Sequence, residues 1–172
     1  MVGDKPHTLI LGSAPGIRSL LDVQYYAHPR NSFWTIMASI AGFPADLSYA
    51  DRLGAMRAAG FALWDVLAEC ERESSLDSDI VESSIVANDF SALLNRHPSI
   101  GRIAFNGGKA EQAFRRYVRP TLVDPAASVP TVRLPSTSPA NAGMRVPEKL
   151  ARWTEALLPL PDPLDAGAAQ TS

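Results

Sequence analysis

The sequence predicts an α/β fold built on a parallel sheet. Short apolar runs alternate with longer stretches of helical spacing, which is the pattern of βαβ units. Three of the apolar runs lead straight into loops rich in glycine, asparagine, serine or proline. Such loops fall at the carboxyl ends of the strands, the edge where open α/β sheets bind ligands. With 172 residues, 46% hydrophobic and 20% charged, the chain suits a single domain with a substantial core.

Each element has its own warrant. His7 to Leu11 reads as a buried strand ending in the turn Gly12-Ser13-Ala14-Pro15-Gly16. Ile17 to Val23 has the look of a short helix, residues 24–32 of a loop, and Phe33 to Ala41 returns to helical spacing. Tyr49 to Ala59 is an Ala-rich helix that Gly60 can close. Phe61 to Val66 is a second apolar strand, and the charged, Ser-rich residues 70–87 read as a surface excursion. Asn88 is placed to cap a helix over Asp89 to Arg96. Ile100 to Phe105 is a third strand, and Gly107-Gly108 opens a helix to about Val118. Residues 120–130 form a linker before the fourth strand, Thr131 to Leu134. Pro147 sits where proline fits the first turn of a last helix. Residues 159–172, prolines followed by small residues, read as a flexible tail, leaving 1–158 as the domain.

Composition excludes several classes. No apolar run approaches the roughly 18 residues of a membrane span, and no signal peptide is evident at the start. Cys70 is the sole cysteine and the histidines are three and scattered, which disfavours a disulfide, a structural zinc or an iron–sulfur cluster. A monomer in a reducing, cytoplasmic setting is the expectation, with no metal and no organic cofactor. The net charge of −2 argues against binding by blanket phosphate neutralisation. Residues 101–120 are nonetheless basic and 66–90 acidic, so either one face of each sign or ordinary solvated helices can result.

Three segments carry the chemistry. The first loop, Gly12 to Gly16, lacks the Lys-Ser/Thr ending of a phosphate loop and the Gly-x-Ser-x-Gly order of a nucleophile elbow. The second, Tyr25-Tyr26-Ala27-His28-Pro29-Arg30-Asn31-Ser32-Phe33-Trp34, sets aromatic rings beside a neutral amide. The third, Leu134-Pro135-Ser136-Thr137-Ser138-Pro139-Ala140-Asn141, offers small hydroxyls that can hold phosphates without a large charge. Asn106, in Phe105-Asn106-Gly107-Gly108-Lys109, and Asp65, after Leu63-Trp64, end two of the strands.

Together these segments resemble the uracil-DNA glycosylase superfamily, and most closely its sixth family, the hypoxanthine-DNA glycosylases. The resemblance runs from about Thr8 to Trp153. It implies a three-layer α/β/α sandwich with a four-stranded parallel sheet, DNA carrying deaminated bases as partner, and monofunctional hydrolysis of deoxyinosine. A uracil or mismatch-specific glycosylase, or a non-catalytic module for damaged or single-stranded DNA, is the alternative. Several branches use an Asp or Asn of the first loop to position the attacking water; Ala14 stands there in this chain. The resemblance therefore shifts that role to Asn31, which as a residue type also suits a helix cap. Tyr26 is implied to stack on the extruded base, with Gly12, Ser13, Ala14 and Pro15 around it; His28 can donate to the base or a phosphate, or else be a satisfied structural histidine before Pro29. Asn106 is a second catalytic candidate, as a donor to the departing base, or else a turn residue. Asp65 can accept from the N1–H of hypoxanthine, or merely end a strand. Arg30, Lys109, Ser136, Thr137, Ser138, Pro139 and Asn141 are the DNA-binding candidates. Tyr25, Phe33 and Trp34 are assigned to the core.

Overall fold

The computed structural model describes residues 1–74 and 76–158, so the tail at 159–172 lies outside the described residues. Four strands form one parallel sheet in the order β2-β1-β5-β6: β1 Thr8–Gly12, β2 Phe61–Asp65, β5 Arg102–Asn106 and β6 Thr131–Leu134. The chain moves from β1 outward to β2, then crosses to β5 and on to β6. The direction reverses between β1 and β5. That reversal opens a crevice at the carboxyl ends of the two central strands, where Gly12 and Asn106 stand.

Alternation along the strands sends side chains to two cores. Ile10, Leu63, Ala104 and Leu134 pack with helices α2 (Phe33–Ala41), α3 (Tyr49–Ala58) and α6 (Val146–Leu157), through Phe33, Met37, Met56 and Trp153. Leu9, Leu11, Ile103 and Phe105 face α4 (Phe90–Arg96) and α5 (Gly108–Ala113), through Phe90, Leu94 and Ala110. Two helical layers therefore sandwich the sheet, as expected. The short helix α1 (Ile17–Asp22) buries no residue at all.

Several local expectations are corrected. Asp89, not Asn88, caps α4: its carboxylate accepts from the Ala92 N–H at 2.9 Å. Asn88 instead donates from Nδ2 to the Asp65 carbonyl at 2.8 Å, which pins the end of β2. Helix α3 stops at Ala58 with Ala59 as its cap, and Gly60 follows at φ 76. The helix opened by Gly107-Gly108 does reach Val118, but through a wider π-helical turn over Phe114–Val118. The surface excursion also holds structure: β3 (Leu67–Glu69) pairs with β4 (Val86–Ala87), with single 3₁₀ turns at Asp77–Asp79 and Glu82–Ser84 between them. The linker carries short 3₁₀ turns as well, at Arg119–Thr121 and Ala126–Ser128. The acidic and basic stretches meet at Glu82, which binds Lys109 at 2.8 Å and Arg116 at 3.1 Å.

Candidate active site

A cavity of about 390 Å³ lies at the crevice. That volume falls within the usual range for small-molecule sites. The first loop, Gly12 to Gly16, makes one wall and Ser136 to Pro139 another, while Tyr26, His28 and Asn31 come from the second segment. Asp65 and Asn106 reach it from the ends of β2 and β5. The exposed Arg30 and the half-buried Lys109 and Asn141 lie outside this lining, so three of the DNA-binding candidates stand apart from the cavity.

Gly12 shows why the first loop begins with glycine. A Cβ there would lie 2.5 Å from Asp65 Oδ1 and 3.4 Å from the Tyr26 hydroxyl. The absence of a side chain lets a carboxylate and a phenol approach the backbone. The loop is then tied to the neighbouring excursion. The carbonyls of Gly12 and Ser13 accept from Val66 and Leu67 N–H at 2.9 and 3.0 Å. The buried Ser13 hydroxyl donates to Asp77 at 2.6 Å. Arg72 donates to the Pro15 carbonyl and lies 3.9 Å from Asp77. Its side chain is only 8% exposed. The sequence reading missed both Arg72 and Asp77, since an Arg among acidic residues carries no pattern that distinguishes a buried clamp from a solvated charge.

The second segment folds back on itself. The His28 carbonyl accepts from Asn31 N–H at 2.8 Å, and His28 Nδ1 accepts from Arg30 N–H at 3.1 Å. That bond leaves the proton of a neutral His28 on Nε2. Asn31 Oδ1 accepts from Phe33 N–H at 3.0 Å, which supports the start of α2, and the side chain also lines the cavity. Its carbonyl oxygen keeps a second lone pair. Ser32 holds the N-cap position itself, and the Asn31 bond to the first turn coexists with its place on the cavity wall. Tyr26 takes a left-handed backbone, φ 54, and stacks on Phe33 with centroids 3.9 Å apart and planes 25° apart. Burial, and after it the Asp65 carboxylate, pushes the Tyr26 pKa well up, against a hydrogen bond from Asn106. The hydroxyl is therefore neutral. Phe33 and Trp34 are buried, whereas Tyr25 is half-buried and also lines the cavity.

Asn106 is a hub. Its Nδ2 donates to Thr137 Oγ1 at 2.8 Å, and its Oδ1 accepts from Thr137 N–H at 2.8 Å. Asn106 thus commits one of its two amide protons to Thr137. Its neighbour Gly107, at φ 101, has no room for a Cβ, which would meet Ser136 at 2.9 Å. The Thr137 carbonyl in turn accepts from Ser32 N–H at 3.1 Å, next to Asn31. The hydroxyls of Ser136 and Ser138 accept from N–H groups of their own loop, both at 3.2 Å. Asn141 Nδ2 closes that loop on the Ser136 carbonyl at 3.0 Å. Behind it, the buried Lys149 donates to the Asn141 carbonyl at 2.9 Å, and desolvation lowers its pKa. Lys149, Tyr49 and the exposed apolar Leu20 and Val23 on the cavity wall were all illegible in the motifs.

A doubly wound sheet with an aromatic, amide-lined cavity at its point of reversal frames this site. The chain belongs to the uracil DNA glycosylase superfamily, whose family model matches residues 2–158. It is 37% identical over 111 residues to a hypoxanthine DNA glycosylase of Methanosarcina barkeri, covering 64% of this chain and 69% of the relative. The same figures hold for a hypoxanthine DNA glycosylase of Methanosarcina acetivorans. A solution NMR structure of a candidate uracil DNA glycosylase from Methanosarcina acetivorans has a TM-score of 0.71 and 33% identity, over 90% of this chain and 92% of that one. Among the described residues no helix is long and apolar enough to cross a membrane.

Proposed function

We propose that this protein is a monofunctional DNA glycosylase that hydrolyses the N-glycosidic bond of deoxyinosine and releases hypoxanthine. The observation that carries this reading is the placement of Asn31 and Tyr26 on one cavity whose first loop holds Ala14 in place of an acid or amide. Names borne by the relatives in the two Methanosarcina species support the substrate. The target nucleotide leaves the stack at a cost of a few kcal/mol, least where it is mispaired. Phe33 backs one face of Tyr26, leaving the other as the stacking surface for the base. The free lone pair of Asn31 Oδ1 orients a water toward the anomeric carbon. An amide is a weak base, so its contribution is orientation, which alone can be large. The sugar passes through an oxocarbenium-like state. Asn106 acts by holding Thr137 in place, and Lys149 by holding the third loop.

Single-turnover assays on oligonucleotides bearing inosine, uracil or xanthine test the reading. Inosine should be the fastest substrate; a faster rate on uracil would move the protein to the uracil branch, and no excision of any base would leave a binding module. Asn31→Ala should lower the inosine rate by at least about a hundredfold, roughly 2.7 kcal/mol of barrier. The same change removes the Phe33 cap and so costs about 1 kcal/mol of stability. A rate within about threefold of the parent would remove Asn31 from the water-positioning role.

A further inference from the structure

Two carboxylates line the cavity, and they differ in how they are satisfied. Asp77 is engaged from within the protein, by the Ser13 hydroxyl at 2.6 Å and by Arg72 at 3.9 Å. Asp65 is held in place, yet among the described residues no hydrogen bond satisfies its carboxylate. Its carbonyl is pinned by Asn88 at 2.8 Å, and its Oδ1 rests where a Gly12 side chain would otherwise stand. Burial, the largest influence on its carboxyl, pushes the pKa up to about 6; the Met1 amino group and Arg72 pull down and Asp77 pushes up. No hydrogen bond is among these influences. Among the described residues no side-chain oxygen is both sealed from solvent and without a partner. The Asp65 oxygens therefore open onto the cavity they line. A desolvated acceptor fixed in a ligand site, with no internal donor among the described residues, is costly to the fold, and such groups mark functional sites.

We propose that Asp65 is the group by which this site tells a deaminated purine from adenine, an inference that rests on the purine-glycosylase reading above. Deamination at C6 replaces the amino group of adenine by a carbonyl oxygen, and N1 gains a proton. Hypoxanthine thus presents an N1–H donor where adenine presents a lone pair. An ionised Asp65 accepts from the donor and repels the lone pair, with no proton available between them. Adenine's own amino group sits one position over, where hypoxanthine carries oxygen. A site built to pair with a substrate N–H rejects the analogue lacking it by far more than a shape mismatch does. Such rejection matters here because adenine is the normal base.

The groups facing Asp65 make the discrimination pH-dependent. The Tyr25 and Tyr26 hydroxyls are both pushed well above their ordinary range, first by burial and next by Asp65, so they stay neutral. The Met1 amino group, Arg72 and Asp77 are the charges that act on it. Once Asp65 takes up a proton in acid, its O–H can donate to adenine N1, and the two bases become harder to tell apart.

Titration of the protein with free hypoxanthine and free adenine, at pH 8 and pH 5, tests this without requiring catalysis. The parent should prefer hypoxanthine by at least about tenfold at pH 8 and by less at pH 5. Asp65→Asn, whose amide can either accept from N1–H or donate to N1, should narrow the preference at pH 8 and abolish its pH dependence. An unchanged preference in Asp65→Asn, equal binding of the two bases by the parent, or binding of neither would overturn the proposal. Should the variant fold poorly, the pH dependence of the parent decides alone: a preference that does not fall in acid sinks it. Excision of deoxyinosine, assayed alongside, separates the two readings. Excision with a base preference indifferent to Asp65 removes this proposal and keeps the glycosylase. A preference that depends on Asp65 without any excision does the reverse.

Discussion

The two loops that face each other across the cavity are held by opposite means. The third loop hangs on Asn106, whose neutral amide exchanges two 2.8 Å hydrogen bonds with Thr137, itself 1% exposed. The first loop hangs on charge: Asp77 takes the Ser13 hydroxyl, and a buried Arg72 takes the Pro15 carbonyl. One clamp joins a strand end to the loop beside it on the sheet edge. The other reaches in from an acidic excursion that looks like solvated surface. Function can be fixed by residues with no motif of their own, provided that a loop backbone offers them carbonyls and hydroxyls to hold.

The neutral clamp should show the larger effect when broken. Asn106→Ala strands a buried Thr137 N–H and hydroxyl, each costing about 1–3 kcal/mol. Denaturant unfolding should register a loss of about 2–4 kcal/mol. Activity should fall further, because Thr137 also carries Ser32, the neighbour of Asn31. Asn106→Asp, which can still accept from both Thr137 donors, should recover much of the stability. A fully stable Asn106→Ala variant would show that the third loop is held from elsewhere, such as Lys149 or Trp153.

Arg72→Met keeps much of the side-chain length and removes the charged donor. One hydrogen bond to a charged group is worth about 1.5–3 kcal/mol, and the half-exposed Asp77 softens the loss of its partner. Stability should drop by about 2 kcal/mol and the deoxyinosine rate with it. An effect on stability with none on rate would make the strap a feature of the fold alone.

How legible this molecule was in its sequence follows from the same contrast. Helix α2 and strand β6 fall where their spacing placed them, because a run such as Phe33–Ala41 is read by its own periodicity. Gly12, Tyr26, Asn31, Asp65 and Ser136 converge as the motif loops implied, because loops at strand ends share an edge. The excursion was illegible: β3 and β4 are three and two residues long, too short for a period, and Arg72 reaches Pro15 across 57 positions. Asn88 and Asp89 are both good caps, and only the tertiary demand of the Asp65 carbonyl decides between them.

Asp65 offers a third, smaller test. Its folded pKa of about 6 lies above the ordinary 3.8, so the folded state holds the proton more tightly than the unfolded chain. That contribution is complete below about pH 4 and is lost as the pH rises through 6. Asp65→Asn should therefore stabilise the protein at pH 8, by on the order of 2 kcal/mol after allowance for solvent screening. At pH 4 the gain should nearly vanish. An equal gain at both pH values would assign it to packing and leave the charge without a part in it.

The smallest effect expected concerns the charges outside both clamps. Lys109 is bound to Glu82 at 2.8 Å, and Arg133 to Glu111 at 3.3 Å, so these cations are already neutralised within the protein. Lys109→Ala should change DNA affinity by less than about 1 kcal/mol, as exposed ion pairs generally do. The slope of log K against log[salt] should shift by well under one unit, because no counterion is released by a lysine that never reaches a phosphate. Arg30, exposed beside the second segment, lies in no ion pair among the described residues. Its loss should flatten the slope by about 0.9 if it touches one phosphate of a duplex. Ser136→Ala with Ser138→Ala should weaken binding at every salt concentration by the same factor, since those hydroxyls order their own loop and release no ions. A slope that falls by a full unit in Lys109→Ala would mean that DNA pulls the lysine away from Glu82. The basic stretch around α5 would then be part of the binding face.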